Sequence, residues 1–471
     1  MYEVLSHVRS AGDVYLLESL DGPAQDRLSA AVGWGLLAEL RVFAGRVELS
    51  ARPELGAVLG PLLGGTEAGS GWVWEVRGPE EVWRILRRFQ GAFEVDTEVP
   101  TDTFAFGFLT TLSYEAAWNM EQLPQSQDET DVPRCTLALF RDTLWYDVPT
   151  GSVRHLSARS DLWPRDTGQP LAEVLVKAAA AAVSETAVPP APAARSVRGT
   201  VDEETFAKRV DRCLSHIRVG DSYQIQIGHR FDVETDLTPK EVYRRLRHRN
   251  PSPYMYLVPW AGRTVIGASP ELFIRIANGT LSMRPIAGTA PRAADPAEDA
   301  RRVAGLRASA KEQAEHVMLV DLCRNDIGRV CRPGTLDVGT MMEVEPFAYV
   351  HHLVSTVTGG IDTDTDVWAA VCATFPAGTM TGAPKLRAME IINDIEDDAR
   401  GIYAGALGVV DVRGFTMLAL CIRTAVHDGH RYSTQASAGI VADSTPAGEW
   451  RETLAKMSAT YWALTGEELL P

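Results

Sequence analysis

Two short stretches each carry a pair of glutamates three residues apart: Glu312 and Glu315 in KEQAEH, and Glu449 and Glu452 in EWRETLAK. On a helix that spacing puts both carboxylates of a pair on one face. Side by side, they either lie in water as part of an acidic surface or hold something positive. Lys456 adds to the second stretch, four residues after Glu452 and on the same helical face; its plainest use is an i,i+4 ion pair with that glutamate. Which use applies depends on what the surrounding chain builds.

The chain as a whole favours the acidic-surface use. Its 471 residues hold 46 Lys+Arg against 62 Asp+Glu, a net charge of −16. Such a balance excludes nucleic acid as the expected partner, because phosphate binding needs a basic face. Hydrophobic content of 45% and charged content of 23% are those of a globular protein. There is no apolar run long enough to span a bilayer, and the N-terminal MYEVLSHVRSAGDVYLLES has no signal-peptide core. Six cysteines, at 135, 213, 323, 331, 372 and 421, form no CxxC pair. They read as reduced thiols, and the expected location is cytoplasmic.

The patterning predicts a large α+β chain whose strands are mostly antiparallel neighbours. TLALFRDTLWYDV (136–148) and SYQIQIGHRFDVE (222–234) alternate as strands; EETFAKRVDRCLSHIRVG (203–220) has helical spacing and stops at a glycine. YAGALGVVDVRGFTMLALCIRTAV (403–426) reads as two strands around a turn. Residues 185–199, ETAVPPAPAARSVRG, are rich in Pro and Ala and read as a linker or surface loop after an Ala-rich helix over 171–183. The expected division is 1–184 as the N-terminal part of one α+β unit, 185–199 as this linker, and 200–471 as the region that carries the densest motifs.

Five dense motifs follow in order: RPIAGTAPR (284–292), KEQAEHVMLVDLCRNDIGRV (311–330), FPAGTMTGAPKLRAMEII (375–392), GIYAGALGVVD (401–411) and ASAGIVADSTPAGEWRETLAKM (436–457). Together they resemble the chorismate-utilising enzymes, a family that includes anthranilate synthase component I, aminodeoxychorismate synthase component I, isochorismate synthase and salicylate synthase. The resemblance is strongest over the C-terminal region. It implies two large antiparallel β-sheets packed face to face with helices outside, the fold of anthranilate synthase component I, with the site in the cleft between them. It also implies a role for the glutamate pairs. Glu312, Glu315, Glu449 and Glu452 would bind Mg²⁺, directly and through water. Mg²⁺ takes oxygen ligands and keeps several waters. Without a cation, four converging carboxylates would repel one another.

The resemblance carries further roles. Arg423 and Tyr403 would hold the enolpyruvyl carboxylate of chorismate, with Thr379 and the Ser437–Gly439 stretch completing that pocket. Gly288, Thr289 and Lys456 would line the ring carboxylate. Glu271 in GASPE would protonate the departing C4 hydroxyl, work suited to a carboxyl with a raised pKa. His352 in YVHHLVS matches a histidine linked to pyruvate loss, with His351 as the alternative on the other face of a strand. Leu17, Glu18 and Ser19 (LLES), with Pro251, Ser252, Tyr254 and Met255 (NPSPYM), resemble the tryptophan-binding elements of feedback-inhibited relatives.

Two positions narrow the chemistry. Gln224 stands where water-adding relatives carry a lysine base; a glutamine is no base, and ammonia needs none. Ala287 in PIAGT stands where para-aminating relatives commonly carry a lysine nucleophile. The implied reaction is attack of ammonia at C2 with loss of the C4 hydroxyl, giving 2-amino-2-deoxyisochorismate, then anthranilate and pyruvate if elimination follows. The alternatives are 4-amino-4-deoxychorismate synthase component I and a non-catalytic regulatory homologue. QIQIGHRF in place of the common QVVPSQRF, AGTAPR for AGTRPR and ASAG for AGAG point to a specialised, secondary-metabolite role. The sequence has no glutaminase nucleophile turn. The expected ammonia source is a glutamine amidotransferase subunit or free ammonium, and the expected state includes homo- or hetero-oligomers.

Overall fold

The computed structural model describes residues 11–124, 131–163, 170–182 and 188–470. Among these residues, 21 strands form one hydrogen-bonded network and three more form a small separate sheet. The two strands at the centre of the network, Ser29–Val42 and Cys135–Asp147, pair with one another over most of their length. From Ser29–Val42 a layer runs through Val14–Glu18, Tyr254–Trp260, Arg263–Ser269, Thr424–His427 and Tyr432–Ile440 to Gln224–Glu234. From Cys135–Asp147 a second layer runs through Gly107–Leu112, Ala406–Asp411 and Thr416–Leu420 to Leu272–Ala277. Every one of these pairings is antiparallel.

The expected two sheets are therefore present as two layers, joined where Ser29–Val42 meets Cys135–Asp147. A register shift between Leu36 and Ala38 interrupts the pairing at that junction, as an extra residue in one strand does. Tyr15 and Tyr256 of one layer and Leu109, Leu407 and Val409 of the other meet in a common apolar cluster. Residues on both sides of 185–199 supply strands to each layer: Val14–Glu18 pairs with Tyr254–Trp260, and Gly107–Leu112 with Ala406–Asp411.

The 185–199 stretch departs from a simple loop. Residues 185–187 lie outside the described residues, but Ser196–Gly199 forms an exposed edge strand on Gln224–Glu234. The prolines end at Pro192, so from there every backbone N–H is free to join a ladder. Helix Pro446–Thr465 lies on strand Tyr432–Ile440, flanked by helices Glu203–Arg218 and Pro239–Arg249. Helix Ala310–Gly328 lies against Ile286–Pro291, which belongs to the three-stranded sheet together with Val350–Val354 and Glu343–Pro346. Among the described residues no helix is long and apolar enough to cross a membrane.

Candidate active site

Helices Ala310–Gly328 and Pro446–Thr465 and the strand ends between them enclose a cavity of about 500 Å³. On Ala310–Gly328, the Ser309 side chain caps the first turn by accepting from the Glu312 amide. Glu312, Glu315 and Leu319 then face the cavity at helical spacing. Helix Pro446–Thr465 starts with a proline in its first turn, where no N–H is missed. It presents Glu449, Glu452, Ala455 and Lys456 to the same space. The two glutamate pairs thus face one cavity from two helices. Burial lifts the Glu315 pKa; Lys311 opposes the shift, and the charges of Glu312, Glu452 and Glu449 add to it. Glu449 is also lifted by burial.

The donor set suits a hard divalent cation: carboxylate oxygens, with neither sulfur nor imidazole among them. Glu449 Oε2 is buried without a hydrogen-bond partner, a condition that calls for a compensating group. Among the described residues, no three His, Cys, Asp or Glu side chains stand close enough to hold a metal by themselves. The residues fit an ion held partly through water and substrate oxygens, as Mg²⁺ commonly is. Lys456 combines both roles considered for it. Its Nζ pairs with Glu452 Oε1 at 2.7 Å and donates to the Ser437 carbonyl at 2.9 Å, while the side chain lines the cavity.

All the other expected catalytic and substrate-binding residues line the same cavity: Gln224, Glu271, Gly288, Thr289, His352, Thr379, Tyr403, Arg423, Ser437 and Gly439. Glu271 stands between strands Arg263–Ser269 and Leu272–Ala277, 6% exposed, and accepts from Thr379 Oγ1 at 3.0 Å. Burial outweighs that hydrogen bond and pushes its carboxyl up to about 8. His352 Nδ1 lies 3.0 Å from the Gly288 carbonyl, an acceptor only, so Nδ1 carries the proton and Nε2 the lone pair. Burial lowers its pKa to about 4, which leaves the ring neutral near pH 7. His351 faces the other way and meets Asp299 Oδ1 at 3.0 Å, as strand alternation requires.

Arg423 has φ +51°, and Ala404, next to Tyr403, has φ +62°. Left-handed backbone costs a non-glycine residue roughly 1–2 kcal/mol. Here it turns the chain so that both the guanidinium and the phenol reach the cavity. Among the described residues, the Arg423 side chain has neither an ion-pair nor a hydrogen-bond partner, which leaves its fork open to a carboxylate. Gly288 has φ +63°, and a Cβ there would stand 3.0 Å from Glu312 Oε2. A Cβ at Gly439 would stand 2.5 Å from Gln224 Nε2. Gln224 Oε1 is buried with no partner.

Two residues escape a reading of the sequence, one that lines the cavity and one that holds its wall. Gln226 lines the cavity beside Gln224, and period-2 alternation along their strand is the signal that could have found it. Arg400 is fully paired. It donates to the carbonyls of Met380 and Gln226 and pairs with Glu396, tying strand Gln224–Glu234 to the turn that carries Thr379.

The elements that resemble a tryptophan site lie apart. Leu17, Glu18, Ser19, Tyr254 and Met255 line a second cavity of about 30 Å³, room for a water or two and not for an indole. Pro251 and Ser252 do not line it. Ser252 is taken up locally, its hydroxyl donating to the Asn250 carbonyl and its own carbonyl accepting from Leu20. The space is closed in part by Trp145 and Met417.

Residues 61–461 match the family model described as chorismate binding enzyme. The chain is 47% identical, across 100% of its length and 94% of the relative's, to 2-amino-4-deoxychorismate synthase of Streptomyces globisporus. It is 43% identical to anthranilate synthase component 1 of Streptomyces coelicolor over 78% of this chain and 74% of that one. Among solved structures, anthranilate synthase component I from Streptococcus pneumoniae superposes with a TM-score of 0.72 at 29% identity, covering 92% of both chains. A match over most of the chain, with relatives this similar, makes the protein a member of the chorismate-binding enzyme family.

Proposed function

We propose that the protein aminates chorismate at carbon 2, expels the C4 hydroxyl and releases 2-amino-4-deoxychorismate. The observation that carries this reading is the nucleophile end of the cavity. It is built from Gln224, with its unpartnered buried Oε1, and from Gln226, and neither side chain is a base that could activate water. A carbonyl oxygen accepts an N–H of ammonia and leaves the nitrogen lone pair free to attack. Ala287, also in the cavity wall, offers no nucleophile for the para route. The name of the Streptomyces globisporus relative supports the same regiochemistry. 2-Amino-4-deoxychorismate and 2-amino-2-deoxyisochorismate denote one connectivity: nitrogen on C2, the enolpyruvyl ether on C3 and no oxygen on C4.

In this reading Arg423 holds the enolpyruvyl carboxylate, with Tyr403 beside it donating to Ser437 and not to the substrate, while Lys456, Gly288 and Thr289 face the ring carboxylate. Glu312, Glu315, Glu449 and Glu452 would hold Mg²⁺, which when bound supplies positive charge for the ring carboxylate. As ammonia bonds to C2, the two ring double bonds shift and the C4–O bond breaks. Glu271, its carboxyl kept protonated by burial, gives its proton to the departing hydroxyl, which leaves as water. The nitrogen then loses a proton, which balances the one Glu271 donated. Ammonia comes from a separate amidotransferase subunit or from free ammonium.

Incubation with chorismate, Mg²⁺ and ammonium, followed by mass and fluorescence analysis, tests the proposal. The expected product retains the enolpyruvyl group and does not fluoresce as anthranilate. A 4-amino product, anthranilate as the main product or no chorismate consumption would each overturn it.

A further inference from the structure

Two departures from the common motifs touch each other. Gln226 stands in QIQIGHRF where QVVPSQRF has valine, and Ser437 stands in ASAG where AGAG has glycine. Their strands pair with Gln226 opposite Gly439 and Gly228 opposite Ser437, so the two side chains are diagonal neighbours on the cavity face. Ser437 Oγ donates to Gln226 Oε1 at 3.0 Å and accepts from the Tyr403 hydroxyl at 2.8 Å. All three residues are buried. The hydrogens run one way, from Tyr403 to Ser437 to the amide carbonyl, where the chain ends. A phenol has one hydrogen, so Tyr403 presents only lone pairs to the cavity. Burial pushes its pKa up to about 12, so it stays protonated.

We infer that Gln226 and Ser437 are specificity-determining residues that turn the Tyr403 hydrogen away from the substrate and so keep the aminated product from losing pyruvate. The inference rests on the proposed function. Pyruvate loss removes the C2 proton, uses that C–H pair to make the C2–C3 double bond and breaks the C3–O bond. The enolpyruvyl oxygen leaves with the bonding pair, and its methylene carbon takes up a proton to give pyruvate. His352 Nε2 is available to accept the C2 proton. Negative charge grows on the departing enolpyruvyl group, beside Arg423 and Tyr403, which line the same cavity. A hydroxyl donor aimed there would stabilise that charge; withdrawing one such donor slows a step by about 10²–10³-fold.

The test compares the full-length wild type with Gln226→Val/Ser437→Gly and with Ser437→Ala alone, in chorismate, Mg²⁺ and ammonium. Anthranilate is read by fluorescence, pyruvate by coupled lactate dehydrogenase and the aminated intermediate by mass. Product made by the wild type is also supplied to each variant, so that elimination is read without a need for amination. The ratio of anthranilate to aminated intermediate should rise at least tenfold in the double variant, and Tyr403→Phe added to it should abolish the rise. If the double variant does not fold, Ser437→Ala is read in the same way. An unchanged ratio, or a rise that survives Tyr403→Phe, overturns the inference while leaving the proposed function standing. A wild type that itself forms anthranilate or a 4-amino product overturns the proposed function, and the inference with it.

Discussion

Two cavities of this protein carry family-like motifs, and they differ in how their polar groups are satisfied. In the large cavity, Glu449 Oε2 and Gln224 Oε1 are buried without partners, and Arg423 has an open guanidinium. In the small one, charges are already matched: Glu18 accepts from Arg247 at 2.9 Å and from the Tyr243 hydroxyl. Asp26 accepts from Tyr254 at 3.0 Å and pairs with Arg284 at 3.1 Å. Burying a polar group without a partner costs about 1–3 kcal/mol. A site that carries several such groups keeps them for a ligand. A site whose groups are all paired has nothing left to offer one.

The contrast breaks most readily at the carboxylates. Glu452→Gln removes one of four charges from the large cavity and the partner of Lys456. We expect it to lower turnover at least 100-fold, the effect of losing about 3 kcal/mol of transition-state stabilisation, with the circular dichroism spectrum unchanged. Wild-type rates in all four Glu→Gln variants would remove the metal role.

Next in size is the pH response. Glu271 acts in its protonated form, and burial raises its pKa to about 8. The acid form prevails below that value, so kcat/KM referred to the concentration of free NH3 should be level below about pH 8 and fall tenfold per unit above it. A profile that keeps rising through pH 9 would exclude Glu271 as the acid.

A smaller loss is expected from Gln224→Lys, which sets a charge and a longer side chain in the path of ammonia. Amination should fall about tenfold, roughly 1.4 kcal/mol. Traces of isochorismate would appear if the new amine is deprotonated by burial. Amination at the wild-type rate would mean that residue 224 does not lie beside C2.

The smallest expected effect belongs to the small cavity. Added tryptophan should change neither rate nor melting temperature, because about 30 Å³ does not admit it. Inhibition by tryptophan would show that this region opens.

What can be read from the sequence follows the same physical division. Strand and helix assignments such as Cys135–Asp147, Glu203–Arg218 and Gln224–Glu234 follow from local periodicity. The cavity-lining residues are legible because each sits in a short motif whose local turn places it, as with Gly288 and Arg423. The joining of the two layers into one network is not, since it depends on pairing between strands far apart in the chain. The Tyr403–Ser437–Gln226 chain is illegible for the same reason: its members come from three segments, and only register makes them neighbours. The closing of the small cavity by Trp145 is likewise a tertiary fact.

The most direct measurement is to run the reaction with ¹⁵N-ammonium, chorismate and Mg²⁺ and to locate the nitrogen in the released product by NMR. We predict a ¹⁵N coupling to the proton on C2, no oxygen on C4 and intact enolpyruvyl methylene signals. Label on C4, or label found only in anthranilate with free pyruvate, would contradict amination at C2 with retention of the enolpyruvyl group.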